Sequence, residues 1–271
     1  IGDCWMRSFT VPPAQWLFAR LYLGVFKPRR PILGMELAGE IEAIGKNVRR
    51  FQPGEQIFAS TFNADFGGYA EYKCFSEEGV LAAKPANLSF GEAAASVGGG
   101  MTALRCLNQA KLQPGQEILI YGASGAVGTS AVQLAHNLFG ARVTGVCSTT
   151  NLELVNSLGA AKVLDYTRQD FTQQGRQYDV VFDAVAKFPP ARARQAVKPG
   201  GVYLNVHRHA DASKGTTPLQ ELLRLKDLLE AGKLKPAIDR VYPLEQIVEA
   251  HRYVQQGHKK GNVVITMVDP G

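Results

Sequence analysis

The stretch Ile118-Leu119-Ile120-Tyr121-Gly122-Ala123-Ser124-Gly125-Ala126-Val127-Gly128 decides the fold. Its apolar opening reads as a strand buried on both faces, which runs straight into a glycine turn and then into an apolar helix. The spacing Ala123-x-Gly125-x-x-Gly128 is the dinucleotide fingerprint with alanine in its first place. Gly125 lets a pyrophosphate approach the backbone without meeting a Cβ, and Gly128 lets the helix lie close on the sheet. Free N–H groups and the positive dipole end of the helix favour a phosphate at this point. Ser124, Gly125, Ala126 and Val127 are therefore the expected phosphate-side contacts. The alternative is a tight structural turn with no ligand.

Working outward, strand and helix signals alternate through the middle of the chain. Strands are expected at 117–121, 142–146, 162–164, 180–182 and 202–205, and helices at 126–138, 152–158, 190–197 and 219–230. Strands and helices in this alternation imply an α/β fold, a doubly wound parallel sheet wrapped on both faces. Pro114-Gly115 and Pro199-Gly200 punctuate the strand entries.

The first third instead reads as short strands separated by turns: a partly alternating stretch at 34–45, a turn at Pro53-Gly54, a strand at Ile57-Phe58-Ala59 and another alternating one at 69–75. The tail returns to this style, with strands at 238–242 and 263–267 around a helix from Pro243 to about Gln255. One domain inserted into another is the expected organisation, with 93–235 as the dinucleotide-binding domain and 1–92 plus 236–271 as the second.

The end of the second strand bears on which dinucleotide binds. An NAD-specific site places Asp or Glu about 20 residues beyond the turn to hold the ribose 2′-OH. Here Cys147-Ser148-Thr149-Thr150-Asn151 stands instead, and no acidic residue occurs between Gly125 and Glu153. Absence of a carboxylate, with the hydroxyls of Ser148 and Thr149, permits a 2′-phosphate. Tyr166 is placed to cover the adenine ribose, with Arg168 near it in sequence. The expectation is NADPH; the alternative is a polar turn in an unselective site.

The 271 residues suit two domains, and 45% hydrophobic against 20% charged residues excludes disorder, collagen and a coiled coil. The longest apolar candidate, 127–138, is interrupted by Thr129, Ser130, Gln133, His136 and Asn137, so no membrane span and no membrane partner are expected. Asp3 and Arg7 interrupt the opening, which does not read as a signal peptide. A net charge of +6 from scattered basic residues aids capture of an anionic ligand but lacks the stripe that nucleic acid requires. Cys4, Cys74, Cys106 and Cys147 show no Cys-x-x-Cys spacing and read as thiols of a reducing compartment, the cytoplasm or the mitochondrial matrix. His207 and His209 alternate in a loop and are expected to be solvated, and His136 to be structural. Ser124 lacks the Gly-x-Ser-x-Gly context of a nucleophile elbow.

With these motifs in order, the whole chain resembles the zinc-independent quinone oxidoreductase branch of the medium-chain dehydrogenase/reductase superfamily. The resemblance rests on Asp3-x-x-x-Arg7, Leu33-Gly34-Met35-Glu36-x-Ala38-Gly39, Val48-x-x-Phe51-x-Pro53-Gly54-Glu55 and Gly67-Gly68-Tyr69-Ala70-Glu71-Tyr72, besides the glycine turn. Leu158-Gly159-Ala160, Asp165-Tyr166, Asp179-Val180-Val181-Phe182-Asp183, Lys198-Pro199-Gly200-Gly201 and Gly257-His258-x-x-Gly261-Asn262-Val263-Val264 complete it. It implies a GroES-like β-rich catalytic domain around a Rossmann domain, with Thr102 near the nicotinamide and the Val185 backbone holding its carboxamide. It also implies a tendency to homodimerise through the Rossmann sheet edge.

Alcohol dehydrogenases of the superfamily hold catalytic zinc through a Cys and the histidine of Gly-His-Glu. Here the triplet is Gly34-Met35-Glu36, and a thioether is a poor zinc ligand. Cys4 beside Asp3 and Glu36 lacks the further ligands of a metal site, so none is expected. The implied reaction is hydride transfer from NADPH to a small-molecule quinone or enone, with no catalytic acid identifiable. The competing class is a non-catalytic NADPH-binding structural or RNA-binding protein of the same fold.

Three departures stand out. The resemblance implies roughly 30–40 residues of strand ahead of Ile1, without which a sheet edge lies open. The stretch 206–219 is short where relatives carry a strand and helix, and Thr150 replaces a frequent basic residue.

Overall fold

The computed structural model describes residues 2–9, 16–27, 29–173, 177–210 and 215–267. Two compact units make up the chain. One comprises Ile1–Val97, Arg240–Lys259 and Val263–Gly271, the other Gly98–Asp239 and Lys260–Asn262.

The first unit opens on two helices, α1 (Gly2–Ser8) and α2 (Trp16–Leu23), ahead of the first expected strand stretch at 34–45. Its sheet is antiparallel, β1 (Glu36–Glu40), β2 (Gln56–Ser60) and β3 (Leu81–Ala83) in that order. Pairing runs from Glu36 opposite Ser60 to Glu40 opposite Gln56. Phe51, Ile57, Ala59 and Leu81 form a buried core over it, with Leu37, Val48 and Phe75 against them. The Pro53-Gly54 turn closes β1 on β2: Gly54 N–H donates to Ile41 C=O at 2.8 Å, and Ile41 N–H to Glu55 C=O at 3.0 Å.

The expected strand at 69–75 does not form. Gly68 and Tyr69 donate to the carbonyls of Gly34 and Leu33, after which no ladder continues and Tyr72 is exposed. Alternation alone makes no strand where no backbone edge runs alongside. The third strand is β3 instead. Helix α3 (Phe90–Ala110) begins with a reciprocal cap: Ser89 N–H donates to Glu92 Oε2, and Glu92 N–H to Ser89 Oγ.

The second unit holds β4 (Glu117–Tyr121), α4 (Ala126–Asn137), β5 (Arg142–Cys147), α5 (Leu152–Ser157), β6 (Lys162–Asp165), β7 (Tyr178–Asp183), α6 (Pro190–Gln195) and β8 (Val197–Asn205). The five strands form one parallel sheet in the order β6-β5-β4-β7-β8, the doubly wound arrangement expected. Ile118, Leu119 and Ile120 are fully buried, as a central strand covered on both faces requires. Strand β8 starts five residues earlier than expected. Pro199-Gly200 lies inside it, where the β7–β8 register shifts between Tyr178 and Val180, so that the pair marks a bulge and not a strand entry.

The short helix α7 (Val206–His209) follows β8, and α8 (Pro218–Glu230) buries Leu222, Leu225, Leu228 and Leu229 as one apolar stripe. Residues 211–214, within the stretch expected to be short, lie outside the described residues. The tail contributes β9 (Ile238–Pro243), α9 (Ile247–Gln255) and β10 (Asn262–Thr266), with β9 and β10 paired as a two-stranded sheet.

Close approach of α4 to β4 depends on glycine. A Cβ on Gly128 would lie 2.1 Å from the Gly122 carbonyl oxygen, whereas one on Gly125 would meet nothing nearer than that oxygen at 3.6 Å. Gly128→Ala is therefore expected to destabilise by about 3 kcal/mol, as overpacking a rigid backbone contact does, and to lower the thermal midpoint by roughly 6–12 °C. Gly125→Ala is expected to stay within about 2 °C of the parent. Paired thermal melts check this; equal midpoints for both variants would show that helix and strand are not in contact.

Candidate functional site

The site is built at the carboxyl end of β4. Gly122 adopts a φ of +78°, which favours glycine, and the amides of Gly122 and Ala123 both donate to Val146 C=O on β5 at 3.0 Å. Gly125 is the N-cap of α4, extended and without a side-chain cap. No side chain caps the first helical turn, whose Ala126 is engaged by the parallel bridge of Gly125 with Gly261, and the amides of Val127 and Gly128 add to the positive end of the helix dipole. A Cβ on Gly125 would make only an ordinary contact, 3.6 Å from the Gly122 carbonyl oxygen. An anionic group fits such a cradle.

Gly261 closes the other side of the turn. Its N–H donates to Ser124 C=O at 2.7 Å, and a Cβ there would lie 2.2 Å from Ala237 C=O. Its only signal in the sequence was its place in the Gly257-to-Val264 landmark.

Beyond β5, Asn151 organises the loop. Its Nδ2 donates to Ser124 Oγ at 3.0 Å and Ser148 Oγ at 3.1 Å, bringing two expected contacts together. Its Oδ1 is buried without a partner, an acceptor left over beside the cradle. Thr149 differs from expectation. Its hydroxyl donates to Asp165 Oδ2 at the end of β6, a short contact that commits its proton to the protein. The absence of an acidic residue after the turn holds along the sequence but not in space, because β6 returns Asp165 to this loop. Asp165 also accepts from Thr167 N–H at 2.9 Å and Thr167 Oγ1 at 2.7 Å. These bonds, Thr149's foremost, hold its carboxyl below the usual carboxylate range. With so many donors committed, Asp165 clasps the loop. Tyr166 is half exposed beside it, its ring 6.1 Å from that of Tyr121.

Thr102 lies on α3 one turn beyond Gly99, whose Cβ position would be 2.7 Å from the Ala126 carbonyl oxygen. Val185 follows β7 and packs its side chain against Gly122. Its N–H donates to Asp183 Oδ1 at 3.1 Å, so only its carbonyl is open to a carboxamide. Asp183 is fully buried and also accepts from Phe188 N–H at 2.9 Å. His207 is exposed. His209 is turned back to its own strand, where its Nδ1 takes the Asn205 N–H at 3.0 Å.

The first unit carries a second polar cluster. Asp3 accepts the Gly34 N–H at 3.0 Å and the Tyr69 hydroxyl, and burial with that carboxylate pushes the Tyr69 phenol far above its usual range. Cys4 Sγ lies 3.4 Å from His251 Nδ1. A histidine therefore does approach Cys4, which spacing along the chain could not reveal. Among the described residues, no three His, Cys, Asp or Glu converge as metal ligands. Burial raises the Cys4 thiol and lowers the His251 imidazole, so both are neutral. The other buried thiols are also pushed up, Cys106 to about 12 and Cys147 to about 11, mainly by burial.

The His251 shift has a sign. Its folded pKa lies below the unfolded value near 6.5, so the unfolded chain binds the extra proton first and stability falls as pH drops below about 6.5. The thermal midpoint is expected to fall between pH 7.5 and 5.5, and by less in His251→Gln. An equal fall in both proteins would contradict a neutral, buried His251.

The chain matches two family models, the alcohol dehydrogenase GroES-like domain over residues 6–113 and the zinc-binding dehydrogenase over residues 158–265. It is 36% identical to a 2-methylene-furan-3-one reductase of Solanum lycopersicum over 261 residues, 90% of this chain and 66% of that protein. The chain thus spans just under two thirds of that relative's length. A quinone-oxidoreductase homolog from chloroplasts of Spinacia oleracea is 30% identical over 293 residues, covering 96% of this chain and 88% of that one. Among solved structures, the quinone oxidoreductase of Coxiella burnetii superposes with a TM-score of 0.80 at 26% identity, over 95% of this chain and 87% of that one. With the parallel sheet, the glycine turn and these matches together, the chain belongs to the medium-chain dehydrogenase/reductase superfamily, in its quinone oxidoreductase branch.

Proposed function

We propose that this chain is an NADPH-dependent oxidoreductase that reduces a quinone or an enone. The observation that carries the reading is a start of α4 that no side chain caps, beside a Gly125 whose Cβ position makes only an ordinary contact. The amides of Val127 and Gly128 would hold the pyrophosphate, with the Ser124 hydroxyl beside it. Ser148 and Tyr166 would take the 2′-phosphate and ribose, and the leftover Asn151 Oδ1 would accept from a ribose hydroxyl or a bridging water. Thr149 acts through Asp165, shaping the loop. Thr102 and the Val185 carbonyl would face the nicotinamide, and the domain of residues 1–92 and 236–271 would carry the substrate side.

When bound, NADPH supplies a hydride. A quinone or enone accepts it at an electron-poor carbon, and the resulting oxygen anion takes a proton from water. Methionine at position 35, where a zinc-binding relative needs histidine, suits this chemistry, because a conjugated acceptor spreads the incoming charge without a Lewis acid. The place of β8 at one end of the parallel sheet supports pairing of two copies.

Loss of NADPH absorbance with 1,4-quinones and enones, against a saturated ketone as control, tests the activity. Turnover is expected with the conjugated acceptors only, and Gly125→Ala is expected to raise KM for NADPH at least about tenfold, one misplaced phosphate contact being of order 1.5 kcal/mol. Chelator is expected to leave the rate unchanged. Tyr166→Phe with Ser148→Ala is expected to narrow the preference for NADPH over NADH by roughly tenfold. NADH binding as tight as NADPH in the parent protein would contradict the selectivity, and a silent acceptor panel the activity.

A further inference from the structure

The first unit carries a surface on which basic and large apolar side chains lie together. Between Asp3 and Glu36 the sequence has no acidic residue but five basic ones, Arg7, Arg20, Lys27, Arg29 and Arg30. The same span holds a run of large apolar side chains that the fold leaves outside. Trp16 is 49% exposed, Leu17 63%, Leu21 49% and Phe26 fully. Leu17 and Leu21 stand four apart on α2 and so share a face, as do Trp16 and Arg20. The outer turn is braced: Arg20 lies over the Phe9 ring at 5.1 Å, and Phe9 meets Trp16 edge-on at 6.0 Å. Lys27 and Arg29 are exposed just beyond Phe26, and Arg30 is held by Asp65.

A run of exposed Trp, Leu and Phe is unusual on a surface meeting only water. Apolar anchors with tryptophan at the edge and lysine and arginine beside them match the boundary of an anionic bilayer. Among the described residues no helix is long and apolar enough to cross a membrane, so the contact would lie in the interface plane. We propose that the face of Trp16, Leu17, Leu21 and Phe26 docks this protein on an anionic lipid surface, with Leu17, Leu21 and Phe26 inserted at the headgroup boundary and Lys27 and Arg29 on lipid phosphates. The charge pattern selects a bilayer over a second copy of the chain, since two such faces would set the exposed Lys27 and Arg29 of one against those of the other. This inference stands independently of the proposed activity.

Co-sedimentation with vesicles tests it, using phosphatidylcholine alone and phosphatidylcholine with 30% phosphatidylglycerol. Binding to the anionic vesicles is expected to exceed that to the neutral ones at least tenfold and to weaken with salt. Each basic residue at such a surface strengthens binding about fivefold. Lys27→Glu with Arg29→Glu is therefore expected to weaken it at least 20-fold. Phe26→Ser with Leu17→Ser, both solvent-facing, is expected to weaken it at least tenfold with the thermal midpoint unchanged. Equal binding to both vesicle types, or none to either, would overturn the proposal. So would sedimentation velocity showing self-association that Phe26→Ser and Leu17→Ser abolish while vesicle binding persists.

Discussion

No methyl group fits between Gly128 and the Gly122 carbonyl oxygen. That constraint presses α4 onto β4, and the rest of the site follows from it. The helix then starts directly above the strand end, and its first amides emerge where ligands bind open α/β sheets, beyond the carboxyl ends of the strands. Nearby groups secure the turn without capping the helix. Val146 takes the amides of Gly122 and Ala123, and Ser124 offers its carbonyl to Gly261. The backbone on either side is satisfied, and no side chain caps the helix start.

Two carboxylates show how this unit uses negative charge near a site suited to an anion. Asp183 is buried, and its oxygens accept the amides of Val185 and Phe188, fixing the loop after β7. Asp165 gathers Thr149 and Thr167 after β6. Both side chains accept from the protein on several sides and so shape the loops. Arg168 pairs with Asp165 at 3.6 Å but is largely exposed, and such a pair adds little.

The Rossmann sheet was legible in the sequence because buried parallel strands are continuous apolar runs, and Ile118 to Ile120 is one. The head was less so. Residues 69–75 alternate as a strand does, yet strand formation needs a neighbouring edge, which alternation does not encode. Pro199-Gly200 read as punctuation but proved to be a bulge inside β8, a distinction set by the register of β7. At the site, Gly125 and Gly128 declared themselves by spacing. The Thr149–Asp165 bond, the Asn151 bridge and the approach of His251 to Cys4 did not, since each joins elements that meet only after folding.

The central claim is that the start of α4, which no side chain caps, receives the phosphates of NADPH. Backbone amide shifts of the 15N-labelled protein, followed through an NADPH titration, test it most directly. The account predicts saturable shifts, largest at Ala126, Val127 and Gly128 and smaller at Ser148 and Tyr166. Saturable shifts that leave the first turn of α4 untouched, or no shifts at all, would contradict it.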